Sequence, residues 1–339
     1  MNLKYDPDFG QLLKVLCREK PDRPVLFEYF MNGGLFSVLT GKDYSAVEER
    51  DEQVKIVIEA FINAGYDYAT IPARYFSDLR FQTAAHDTKA TTSQNEGSVI
   101  TSCETFEAYS WPDPEKGDYG IFERLERNLR PKMKFIVPGP GGLLENVINL
   151  VGFENLCFMF FEDEDLVKDV FDSVGSRLLR FYEKCSQIDP VGALIVNDDW
   201  GFKTQTMFDP DTLRKFVFPW HKRMVEAIHN RQKPAILHSC GNLAAIMDEI
   251  IDDLKYDAKH SYEDGILPVE QAYEEWGSRI AILGGIDIDF LARRSPYEIA
   301  KRAKALLTQT GCKGYALGSG NSIPGYIPVE NYMAMIQSV

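Results

Sequence analysis

His238 and Cys240 stand two residues apart at the end of a short apolar run, 234 to 242 (PAILHSCGN). In an extended strand that spacing turns both side chains to one face, and an imidazole beside a thiol binds a borderline metal such as zinc. Gly241 frees the backbone to turn, and Asn242 predicts the N-cap of a helix over 243 to 251. A catalytic zinc takes three protein ligands and leaves a place for substrate or water. Asp198, Asp199, His260 and Asp287 are the candidates for the third. Cys312 precedes the last strand and falls at the wrong end.

Segments at 24–30, 66–72, 132–137, 192–196, 234–240, 256–260, 279–283 and 314–317 read as eight strands alternating with helical patterns. That order predicts an α/β fold, a (β/α)8 TIM barrel. Residues 1 to 23 are expected to be an N-terminal helical extension, with a helix at 9 to 19, and 24 to 339 a single barrel domain. Helices are also expected over 45 to 64, 143 to 162 with a break near Gly152, and 164 to 187. A long insertion follows the second strand, between 73 and 131. A hairpin around 95 to 97, a β-rich stretch at 98 to 103 and a helix near 121 to 129 are expected there, together covering the site. The cluster Pro138 to Gly142 lacks the lysine and the spacing of a phosphate loop and reads as a turn.

In a barrel of this kind polar groups at the strand ends meet at one mouth. They are Glu28, Asn197, Asp198, Asp199, His238, Cys240, His260, Asp287, Ser319 and Asn321. His238 and Cys240 are assigned to a metal. Asp198, Asp199 and His260 are assigned to catalysis, and Glu28, Asn197, Asp287, Ser319 and Asn321 to substrate. Asp198 and Asp199 alternate in direction, so one of them faces the mouth. Trp200, Phe202 and Trp220 are expected to pack.

The formal net charge of -14 opposes attraction to phosphate backbones, so no nucleic-acid partner is expected. No apolar run is long enough for a bilayer, 156 to 161 being among the longest, so no membrane association is expected and the chain reads as cytoplasmic. Its six cysteines lie far apart, which predicts free thiols.

The stretch 234 to 242, the turn from Gly284 to Asp287, the closing 317 to 324 (LGSGNSIP) and Pro328 to Asn331 resemble the uroporphyrinogen decarboxylase superfamily from about residue 24 onward. The resemblance implies a (β/α)8 barrel and one of two activities, tetrapyrrole decarboxylation or cobalamin-dependent methyl transfer of the methylcobalamin:coenzyme M type. The decarboxylases carry arginines just after the first strand, where residues 30 to 34 have none, and an aspartate just after the second, where Pro72 to Arg74 stands. The methyltransferases carry His-x-Cys at the end of the fifth strand, matched by His238 and Cys240. A further cysteine after the eighth strand completes their zinc site, and here that position holds Ser319.

The resemblance therefore implies a metal-assisted methyltransferase using zinc. Its cobalamin, a corrinoid, would arrive on a corrinoid protein, and a small molecule would give or take the methyl group. A decarboxylase or other lyase on another substrate is the alternative enzyme, and a non-catalytic corrinoid- or tetrapyrrole-binding protein the third reading.

Overall fold

The computed structural model describes residues 5–83 and 97–339. The expected hairpin around 95 to 97 lies for the most part outside the described residues. A parallel sheet of seven strands runs in chain order: β1 (Tyr68–Thr70), β2 (Lys134–Pro138), β3 (Val191–Asn197), β4 (Ala235–His238), β5 (Ala258–His260), β6 (Ala281–Leu283) and β7 (Tyr315–Ala316). β1 and β4 to β7 are buried throughout, and β2 and β3 nearly so, as strands covered on both faces must be.

The first expected strand, 24 to 30, is the exception. Leu26 bridges Leu317 in parallel, with the Phe27 amide donating to the Leu317 carbonyl and the Leu317 amide to Val25, both at 2.8 Å. Toward β1 it makes no ladder. The Tyr68 hydroxyl instead accepts from the Glu28 amide at 2.6 Å and donates to the Glu28 carbonyl at 3.1 Å. A phenol thus closes the seam of the curled sheet and covers an edge that would otherwise be bare. Gly318 is required beside it, because a Cβ there would collide with the Phe27 carbonyl oxygen.

The N-terminal helix Phe9–Leu16 is capped by Asp8, whose side chain accepts from the Gly10 amide. The Phe9 amide donates to the Lys132 carbonyl just before β2, and its ring lies against Gly192 at the start of β3, so this helix covers the lower end of the sheet. The helix expected over 45 to 64 begins later, at Arg50–Ala64, with Glu49 accepting from two amides and Gly65 closing it at φ +87°. The expected break at Gly152 is present, and Leu143–Val151 and Phe153–Glu162 meet there at 91°. Among the described residues no single helix is long and apolar enough to cross a membrane.

Two local expectations are corrected. Residues 98 to 103 form no strand: the Val99 and Ile100 amides both donate to the Leu150 carbonyl, and a Ser102–Thr105 capping box starts the helix Cys103–Ala108. The helix after Asn242 is replaced by a 3₁₀ turn, Ala244–Ile246, and a π turn, Glu249–Asp253. Asn242 Oδ1 accepts from Ala244 two residues on, an Asx turn that competes with helix entry. The described part of the insertion divides: Ala73, Arg74, Ser77, Leu79 and Arg80 border the mouth, and residues 112 to 115 lie on the flank. Arg177 and Lys184 of the helix Glu164–Ser186 bond the Pro112 and Glu115 carbonyls and hold that segment there.

Candidate active site

Parallel register brings the central groups together. Asn197 pairs with His238 across β3 and β4, and His238 with His260 across β4 and β5. Residues level in register point the same way, and the His238 and His260 Nδ1 atoms lie 2.8 Å apart. Tyr29 stacks on a face of His238, ring centroids 4.1 Å apart at 19°.

Beyond β4 the chain turns at Gly241, φ +86°, where its backbone packs on Gly201 so closely that neither residue has room for a Cβ. This turn sets Cys240 with its Sγ 3.9 Å from His238 Nε2, and its amide donates to Asp199 Oδ1 at 2.8 Å. Asp199, His238 and Cys240 thereby offer three ligand atoms all within 4.8 Å of one another. Asn321 and Ser261 donate to the Cys240 sulfur at 3.3 and 3.4 Å.

The electrostatics of this set suit a divalent cation. Burial holds the Cys240 thiol up at about 12, with Asp199 adding to the effect, and raises the Asp199 carboxyl as well. Burial also keeps both imidazoles neutral, with His238 well below its ordinary value and His260 down at about 3. A dication would stabilise the thiolate and carboxylate that burial disfavours, and would take a neutral imidazole as it stands. Sulfur, nitrogen and carboxylate oxygen, three in number, are the donors of a catalytic zinc with one open position. The residues fit the metal.

The other expected residues are distributed around this centre. Asp198 faces away: its carboxylate accepts from the Leu144 and Glu145 amides, Trp200 Nε1 and His221 Nε2 at 2.9 to 3.1 Å. Those bonds tie the helix Leu143–Val151 to the end of β3. Asp287 caps the helix Ile288–Arg293 and accepts from Asp264, apart from the triad. Ser319 does not reach the metal donors, because its hydroxyl lies between Glu28 and the Asn321 carbonyl at 2.6 and 2.5 Å. Glu28 is buried beneath the mouth, and burial pushes its carboxyl up to about 8. Asn197 lines a mouth cavity of about 280 Å³ together with Tyr29, Arg74, Arg80 and Pro138 to Gly141.

Sequence reasoning missed Tyr29, Arg74, Glu145 and Lys259. Glu145 stands in the first turn of its helix and bonds the Gly142 amide, which reads as ordinary capping. Burial beside Asp198 and Asp199 lifts it to about 8. Lys259 was legible as a cation in the middle of an expected strand. It is buried, donates to the Ser239, His260 and Ser261 carbonyls, and is lowered by burial to about 8.

Fold and site together define a class: a parallel α/β barrel whose strand ends gather metal-ligating and acid–base groups at one mouth. The chain belongs to the uroporphyrinogen decarboxylase (URO-D) family, whose profile matches residues 11–339. Among curated proteins it is 27% identical over 141 residues to a methylated-thiol–coenzyme M methyltransferase of Methanosarcina mazei, covering 40% of this chain and 34% of that protein. It is 30% identical over 131 residues to a uroporphyrinogen decarboxylase of Anaeromyxobacter dehalogenans, covering 38% and 36%. The matched parts are thus about a third of each relative's length.

Among solved structures, a methyltransferase from Methanosarcina mazei superposes with a TM-score of 0.71 at 15% identity, covering 98% of both chains. A protein described as a vitamin-B12 independent methionine synthase from Listeria monocytogenes gives 0.52 at 12% identity, covering 94% of this chain and 97% of that one. At such identities these likenesses establish the barrel fold. The family is one of enzymes, and this member has relatives among methyltransferases as well as decarboxylases.

Proposed function

We propose that this chain is a metal-assisted methyltransferase that moves a methyl group between a corrinoid carried by a partner protein and a small acceptor or donor. The observation that carries the reading is the convergence of Asp199, His238 and Cys240 within 4.8 Å at the strand ends. Those three residues would hold zinc, which supplies Lewis acidity that turns a bound thiol into a thiolate near neutral pH.

The protein's own groups do the rest. Tyr29 covers one face of His238 and keeps water from it. Asn321 and Ser261 hold the Cys240 sulfur in place through their hydrogen bonds. Glu145, raised by burial beside Asp198 and Asp199 and bonded to Asn197 at the edge of the cavity, is the group we assign to exchange a proton with the small reactant. A cavity of about 280 Å³ bordered by Tyr29 and Asn197 has room for a short thiol.

The test is metal content followed by turnover. Purified protein is expected to carry about one zinc per chain, as a single three-ligand site requires, and to move methyl between free cobalamin and a thiol, followed in the visible spectrum. A fully folded protein that binds no zinc under any loading condition would refute the ligand assignment. Zinc-loaded protein inert toward every pairing of cobalamin with thiol, folate or methoxy compound would refute the activity.

A further inference from the structure

The hydrogen bonds behind His238 determine which of its nitrogens carries the proton. His260 Nε2 lies 3.2 Å from the Ser319 carbonyl oxygen, which can only accept. His260 is wholly buried and meets no carboxylate among the described residues, so it is neutral; with its proton at Nε2 it bears a lone pair at Nδ1. The contact of 2.8 Å between the two Nδ1 atoms needs one donor and one acceptor, so His238 donates from Nδ1. The remaining nitrogen of His238, Nε2, is then bare. It is also the one that faces Cys240 Sγ, at 3.9 Å.

The opposite arrangement places two lone pairs against each other at the Ser319 carbonyl. It also places a proton on the nitrogen that points at the thiol. Both rings are packed against aromatic neighbours. Phe27 packs on His260 with centroids 5.1 Å apart, Tyr29 stacks on His238, and Gly284 has no space for a Cβ against His260.

We infer that His260 is a positioning residue: anchored on the Ser319 carbonyl, it holds His238 in the Nδ1–H form so that Nε2 presents its lone pair beside Cys240 and Asp199. The inference rests on the metal-assisted reading of the same mouth. It also gives Ser319 a part that its side chain does not have, since the backbone carbonyl of that residue sets the tautomers of both rings. Metal-bound histidines in general gain ligand strength and a fixed orientation from such a partner on the second nitrogen.

Two measurements test it. In the first, zinc affinity is read by chelator competition for H260A, H260Q and H260N, with folding monitored by thermal unfolding. Asn places an acceptor where Nδ1 stood, whereas Gln reaches only the position of Nε2. H260A and H260Q are expected to bind zinc about 10–100-fold more weakly than the parent, with H260N recovering most of the loss. Equal affinity in all four proteins, or rescue by Gln as complete as by Asn, overturns the inference.

In the second, ¹⁵N NMR of the metal-free parent reads the His238 tautomer directly. Protonation at Nδ1 is expected, and protonation at Nε2 overturns the inference even if no variant folds. A parent protein that shows the Nδ1–H form but binds no zinc would refute the metal-assisted function and leave the positioning of His238 intact, so the two failures are distinct.

Discussion

The Ser319 hydroxyl lies 2.6 Å from Glu28 Oε1 and 2.5 Å from the Asn321 carbonyl oxygen. One hydroxyl proton cannot serve two acceptors at once. The contacts are all satisfied only if Ser319 donates to the Asn321 carbonyl while Glu28 carries its own proton and donates to Ser319. The buried carboxyl, held at about 8, agrees with that count.

The Glu28 proton makes stability depend on pH in a definite direction. A carboxyl raised in the folded state favours folding fully below its unfolded value, near 4.5, and that contribution is lost as pH rises toward 8. Glu28→Gln mimics the protonated acid, with an NH2 toward the Ser319 hydroxyl and a carbonyl oxygen toward its amide. Denaturant unfolding is expected to give nearly equal stabilities at pH 5 and an advantage for E28Q on the order of 2–4 kcal/mol at pH 8. No divergence between the two pH values would mean that Glu28 is ionised in the folded protein.

Asp198 is expected to act through structure. Its carboxylate satisfies two backbone amides, an indole and an imidazole in a fully buried setting. Asp198→Ala strands those donors and is expected to cost about 3–5 kcal/mol in unfolding free energy. Methyl-transfer activity is expected to fall with it, because the helix carrying Glu145 loses its anchor. Wild-type stability in D198A would contradict the account.

Zinc binding is expected to be a proton-releasing step. With the Cys240 thiol near 12 and the Asp199 carboxyl also raised, the cation displaces protons to reach its ligands. Apparent affinity should therefore climb with pH, by about tenfold per unit between pH 6 and 8 for the one proton that the thiol releases. Cys240→Ala is expected to abolish binding, and Asp199→Asn to weaken it by at least about tenfold. Calorimetry in buffers of different ionisation enthalpy counts the protons. An affinity flat in pH, or unchanged in D199N, would remove Asp199 and the thiolate from the site.

Much of the fold was legible because strand and helix patterns are local. Helix ends such as Gly65 and Gly152, and the runs that became β1 to β7, follow from residue types within a few positions of each other. The segment 24 to 30 was readable as extended chain, but not as a seam closed by Tyr68, some 40 residues away. Likewise Ser98 to Cys103 has strand-forming residues, and a distant carbonyl, that of Leu150, claimed its amides.

By itself the sequence determined that His238 and Cys240 share a strand end, since a two-residue spacing on an extended chain leaves little choice of side. It also set the family, through motifs that are contiguous in the chain. Only the tertiary structure placed a carboxylate oxygen of Asp199, rather than a group of Asp198, His260, Asp287 or Ser319, within 4.8 Å of both as a candidate third donor. That choice depends on the turn in which Gly241 packs on Gly201, and on which neighbours had already engaged the other polar groups. Register between strands brought His260 behind His238 rather than beside the metal donors, and register is a property of pairing that no single segment contains.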